Sequence, residues 1–161
     1  MLGPGDFTGG WVIARRIDDR LAGQARFAGT AVLTPAPGGL AYAETGMLRT
    51  AAGAFEARRA YLWQFDAAGV AVLFVDGRPF HRFVPDGRAE GSDHPCGADL
   101  YRVTYDFTRW PDWSAVWTVT GPRKDYTMES RFVRTNRDGA CAGSVPFSGA
   151  ENGYDNLGSN G

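Results

Sequence analysis

The chain has 161 residues and a formal charge of −1, which suits one domain and offers no global field to draw in nucleic acid or an anionic membrane. Hydrophobic residues reach 43% and aromatics 13%, enough for a real core, yet no apolar run approaches the ~20 residues that span a bilayer. Cys96 and Cys141 are the only cysteines and the N-terminus lacks a basic-then-apolar leader, so a secreted disulfide scaffold is excluded and a cytoplasmic protein is expected.

Residues 1–6 are a Gly/Pro leader that makes a short turn. Gly9-x-Trp11 opens a strand running to about Ile17. Residues 18–23 turn, and 24–34 form a second strand in which Gly29 marks a bend or bulge. Pro35-Ala-Pro-Gly-Gly39 stops it. Residues 40–49 form a third strand. Residues 54–66 form a fourth, with Phe55, Ala57, Arg59, Tyr61, Trp63 and Phe65 on one face. Ala, Glu and Arg over 51–62 also allow a helix, but aromatics at every second position favour the strand. Val70 to Val75 is an apolar strand, Asp76-Gly77 its turn, and 80–84 the return. Residues 85–97 are irregular. From Asp99 to Thr108, Tyr101, Val103, Tyr105 and Phe107 alternate with polar residues. Trp113 to Arg134 reads as two period-two strands joined at Gly121-Pro122, with Arg123, Lys124, Asp125 and Tyr126 crowding the bend. Beyond residue 135 the pattern gives way to Gly, Ser and Asn, the composition of a disordered tail.

About nine short strands with no long helix predict an all-β chain. Parallel pairing would need crossover segments that are absent. The expectation is a single antiparallel up-and-down barrel of about eight to ten strands over 5–135, followed by a tail over 136–161, because closure removes sheet edges.

Gly9-Gly10-Trp11 on the first strand and Arg131 on the last resemble the calycin pattern shared by lipocalins and fatty-acid-binding proteins. That resemblance implies Trp11 at the barrel floor with Arg131 across its ring. A fuller set of motifs comprises Tyr42-x-Glu44-x-Gly46, Arg59-x-Tyr61-x-Trp63, Asp76-Gly-Arg-Pro-Phe-His81, His94-x-Cys96-x-x-Asp99-x-Tyr101 and Trp117-x-Val119-x-Gly121-Pro-Arg-Lys-Asp-Tyr126. Together they resemble an uncharacterised lipocalin-like family of small bacterial and fungal proteins, covering roughly residues 5–135. The resemblance implies a lipocalin-like barrel and no known activity.

The chemistry-bearing residues fall into three groups. Lys124, the single lysine, shares a strand face with Tyr126; pointed inward, the pair would hold an anionic head group at the barrel mouth. The alternative is a salt-bridged turn contributing little. Tyr42 and Glu44 share one strand face, and Arg59, Tyr61 and Trp63 another. Inward-facing, Glu44 and Arg59 would be buried charges that pair with each other or with a ligand. His81 and His94 are the only histidines. His94 and Cys96 could supply two metal ligands, with His81 or Asp99 a third; either histidine could be an axial haem ligand. The alternative is a hydrogen-bonded histidine beside a buried thiol. Tyr101 and Trp117 complete the candidate lining, although Trp113 and Trp117 also read as core.

These residues predict a barrel that binds a small amphipathic or anionic molecule, in a cavity of at least ~300 Å³ reaching Lys124 and Tyr126. The partner class is a small-molecule ligand, with neither nucleic acid nor membrane. A small enzyme of isomerase or cyclase type, using His94, Asp99 or Lys124 for acid–base work, is the second reading. A metal- or haem-binding barrel using His81, His94 and Cys96 stands beside it. A solid-core interaction module contacting partners through 85–97 or the tail is the third. The residues name no cofactor and leave the oligomeric state open. There is no nucleophile elbow, phosphate loop or zinc-protease motif.

Overall fold

The computed structural model describes residues 1–135; the tail expected over 136–161 lies outside the described residues. A four-residue helix, α1 (Pro4–Phe7), precedes eleven strands: β1 (Gly9–Asp19), β2 (Gly23–Ala36), β3 (Gly39–Thr50), β4 (Gly53–Asp66), β5 (Gly69–Leu73), β6 (Pro79–Phe83), β7 (Arg88–Glu90), β8 (His94–Cys96), β9 (Asp99–Asp106), β10 (Trp113–Gly121) and β11 (Lys124–Arg134). They form one antiparallel sheet in the order β6-β5-β4-β3-β2-β1-β11-β10-β9-β7, with β8 also on β9. The β1–β11 ladder, from Trp11 opposite Arg134 to Asp19 opposite Tyr126, joins the two ends of the meander. The result is a nearly closed all-β barrel. No helix is long and apolar enough to cross a membrane among the described residues.

Alternation sets which side chains face in. On β1, Trp11, Ile13, Arg15 and Ile17 are buried, while Ala14, Arg16 and Asp18 are exposed. On β10, Trp113, Ala115, Trp117 and Val119 are buried, and on β11 Tyr126, Met128, Ser130 and Phe132. Residues 54–66 are strand, as aromatic spacing predicts, and the helical alternative is not adopted.

Two local expectations are corrected. Gly29 is no bulge: it pairs in unbroken register with Gly46. A Cβ on Gly29 would lie 2.2 Å from the Thr45 carbonyl oxygen, and one on Gly46 2.4 Å from that of Ala28. The tip of the Phe27 ring occupies the space both side chains would need. The glycine pair therefore lets Phe27 lie flat on the inner wall. The stretch 85–97, read as irregular, contains β7 and β8, each only three residues long.

β6 forms no ladder with β7 or β9, so one seam remains. Gly91 and Ser92 bridge it. Gly91 N–H donates to the Val103 carbonyl at 2.9 Å and Ser92 N–H to that of Arg82 at 2.8 Å. Arg82 N–H returns a bond to Ser92 Oγ at 2.9 Å.

The end carrying α1 is plugged by aromatic rings. Phe7 is fully buried, with ring centroids 5.0 Å from Trp110 and 5.3 Å from Trp63, both edge-on. Trp11 Nε1–H donates to the Phe7 carbonyl at 2.9 Å. The cation over the Trp11 ring is Arg134, at 4.0 Å, and not Arg131. Arg131 stands opposite Ala14, on the outward phase of the strand, and pairs with Glu129. Arg134 stands opposite Trp11 itself and also donates to the carbonyls of Thr8 and Asp6, tying α1 down.

Candidate functional site

Three strands converge on the polar centre of the barrel. Arg15 projects inward from β1, Glu44 from β3 and Arg59 from β4. Arg15 grips Glu44 with both ends of its fork, Nη1 to Oε1 at 2.7 Å and Nη2 to Oε2 at 2.9 Å, and its Nε donates to Ser130 Oγ at 2.7 Å. The guanidinium lies over the Phe27 ring, 4.8 Å from the centroid. Arg59 Nε meets the same carboxylate at 3.6 Å, its side chain only 9% exposed. Tyr42 O–H donates to Glu44 Oε2 from two residues away on the same strand.

Two guanidinium groups thus share one carboxylate. Burial alone would push the Glu44 pKa up. The charge and hydrogen bonds of Arg15, then Arg59 and the Tyr42 hydroxyl, outweigh it and lower the value from 4.5 to about 2. For Arg15 burial works against the charged form, but Glu44 overrides it and holds the guanidinium above its ordinary value. Burial raises Tyr42, with the Glu44 charge adding to it, and burial also raises Tyr61, with Arg59 opposing. Both phenols stay protonated; Tyr42 donates to Glu44, whereas Tyr61 accepts from Arg59.

Across the interior, His81 on β6 meets Tyr105 on β9, Nε2 to hydroxyl at 2.8 Å. The pair crosses the inner side of the seam. Burial, with His94 adding to it, lowers the His81 pKa to about 3, so its imidazole is neutral at physiological pH. Its Nδ1 and the Trp113 indole N–H are buried without hydrogen-bond partners among the described residues.

The third group sits at the rim opposite the aromatic plug. Lys124 Nζ donates to Tyr101 O–H at 2.8 Å and pairs with Asp99 Oδ2 at 3.2 Å. Partial burial lowers the Lys124 pKa, but these two partners win and raise it. Tyr126 points inward and is 2% exposed. Lys124 is only part-buried and turns to its neighbours on β9.

An internal cavity of about 60 Å³ lies between the first two groups. Of the sequence candidates it brings together Tyr42, Glu44, Arg59, Tyr61, Trp63, His81 and Trp117. It does not reach Lys124, Tyr126, Tyr101, Asp99 or His94. The expected lumen of several hundred Å³ is therefore corrected. Aromatic side chains, including stacked Phe80 and Trp117 at 5.1 Å, fill most of it. This volume is also far short of what haem needs. His94 and Cys96 occupy one short strand, and no group of three His, Cys, Asp or Glu side chains able to hold a metal forms among the described residues.

Sequence reasoning missed Arg15, Ser130 and Tyr105. Arg15 carried a signal: it is the one fully buried charge of β1, between Ile13 and Ile17.

The chain belongs to a family of unknown function (DUF6314), whose profile matches residues 7–134. No curated protein matches it. Among solved structures, the S-type phycobiliprotein lyase CPES from Guillardia theta superposes with a TM-score of 0.59 at 9% identity, covering 82% of this chain and 90% of that one. A protein of unknown function from the DUF3598 family of Nostoc punctiforme gives a TM-score of 0.49 at 12% identity, over 82% of this chain and 48% of that one. At 9% identity the lyase likeness speaks for the barrel fold alone.

Proposed function

We propose that this DUF6314 member is a small-molecule-binding barrel, holding the anionic or polar end of its ligand in the interior cavity. The observation that carries this reading is the lining: two guanidinium groups and one carboxylate sealed beside an internal space. A barrel that only had to fold could fill that level with apolar side chains at no loss of stability, since buried charges are costly to desolvate. Arg59, directly across from Glu44 on the next strand, brings a second guanidinium to the Arg15–Glu44 pair beside that space.

The test is to find the ligand and show that it sits inside. Protein isolated gently from a cell that makes it would be denatured, and the released small molecules compared by mass spectrometry with those from an Ala115→Leu variant. Ala115 is 4% exposed, lines the cavity and carries no polar side-chain atom. The larger side chain fills the space and leaves the ion pairs intact. The expected result is a near-stoichiometric mass from the parent that is lost from a folded Ala115→Leu protein. Equal recovery from both, or none from either, would sink the reading.

A further inference from the structure

Resting on that reading, we infer that the interior site takes a neutral hydroxyl compound of about ethanol size, recognised by His81 Nδ1 and the Trp113 indole N–H. These two atoms are buried without hydrogen-bond partners among the described residues. Both side chains line the cavity, and the two residues are 5% and 3% exposed. A Cβ placed on Gly91 would lie 3.6 Å from His81 Cδ2. That edge of the ring therefore faces the seam, and Nδ1, on the opposite edge, faces the interior. A buried polar group without a partner has lost its bond to water and gained nothing in exchange. A molecule that brings a hydroxyl into this space restores the missing bonds.

Charge and tautomer set the chemistry of that group. The ionic side chains of the lining already hold one another: Arg15 with Glu44 and Ser130, and Arg59 with Glu44 and Tyr61. The open bonding capacity sits instead on two uncharged rings. The indole is a donor only and needs an acceptor. Nδ1 accepts when Nε2–H donates to Tyr105, and donates when the Tyr105 hydroxyl donates to Nε2. A carbonyl answers only the second arrangement, whereas a hydroxyl donates and accepts and answers either. Volume sets the size: about 60 Å³ is under half of the ~150 Å³ of an apolar cavity that admits benzene.

The test follows the Trp113 indole N–H and the His81 ring nitrogens by NMR in the isotope-labelled full chain, the indole signal assigned by its loss in Trp113→Phe. Ethanol, ethanethiol and acetate would each be titrated at constant ionic strength. Ethanethiol has the shape of ethanol but a thiol is a poor hydrogen-bonding group. Apolar transfer alone favours the thiol, and a site that reads a hydroxyl reverses the order. The inference expects both signals to shift saturably with ethanol, and ethanol to bind at least about tenfold tighter than either other probe. His81→Phe, read at the indole, should weaken ethanol by about tenfold; unchanged affinity in the folded variant overturns the assignment of His81. If that variant does not fold, the ranking of the three probes on the parent decides. Ethanethiol binding as tightly as ethanol, or acetate binding tighter, overturns the neutral-hydroxyl class and leaves interior binding standing. If no probe saturates, water alone serves the two rings and this inference fails, while the released-mass comparison decides interior binding by itself.

Discussion

His81 is an imidazole held where it cannot take a proton, and that has a measurable consequence. Its pKa is about 3 in the fold against 6.5 when exposed. Between those values the unfolded chain binds a proton that the native barrel refuses, so stability falls as pH falls, by ~1.4 kcal/mol per pH unit. His94, whose pKa is also lowered but which is more exposed, adds a weaker effect of the same sign. Glu44 acts in a lower window. Its stabilising ionisation is complete above 4.5 and is lost as pH falls towards 2. Unfolding free energies from urea at pH 7, 6 and 5 separate the two. The parent should lose about 1 kcal/mol or more between pH 6 and 5, and His81→Gln clearly less. Parallel losses in both proteins would show that His81 is not the group excluded from protonation.

At the scale of the strand, the barrel is uneven in how it is held. β1 and β11 pair along nine consecutive positions, Trp11 to Asp19, whereas the seam between β6 and β9 is bridged through Gly91 and Ser92 by three bonds, with the His81–Tyr105 side-chain bond beside them. Local opening concentrates where few backbone bonds must break together. Amide hydrogen exchange should therefore show Gly91, Ser92 and Arg82 exchanging at least ~100-fold faster than Ile13 and Phe132, a difference of roughly 2.7 kcal/mol in opening free energy. Equal protection would mean that the seam opens only with the whole barrel. The same unevenness explains what the sequence revealed. The long strands were legible because aromatic and apolar residues recur at period two over nine or more positions. β7 and β8 were not, since three residues carry too few alternations to register, and their pairing with β9 is a tertiary outcome. The Arg15–Glu44 pair was illegible for a related reason: β2 lies between their strands, so no local spacing connects them. Glu44 and Arg59, on adjacent strands and directly opposite in register, were the easier pair to foresee.

For the molecule as a whole, the decisive contact is the one that joins its two ends. A meander of eleven strands left open at β1 would expose a long row of unpaired backbone groups, an aggregation hazard. β11 covers that row, and its last residues matter most. Phe132 stacks on Trp113 at 3.7 Å, Arg134 lies on Trp11 and holds α1, and Thr135 N–H donates to the Gly10 carbonyl at 3.1 Å. The sequence pointed to a late arginine on Trp11 but placed it three residues early, because the expectation came from a motif and not from the register. This arrangement sets a sharp boundary for what the barrel needs. A chain ending at residue 135 retains every one of these contacts and is the reference for the shorter one. A chain ending at residue 130 loses the Phe132 stack, the Arg134 cation and the last rungs of the closing ladder. Losing one buried aromatic alone costs about 3–5 kcal/mol, a large share of what a domain this size has to lose, so that shorter chain should unfold or aggregate. Thermal melts and size-exclusion profiles of the two truncations decide the matter. A stable, monomeric 1–130 protein would mean that closure of the barrel at Trp11 and Arg134 is dispensable.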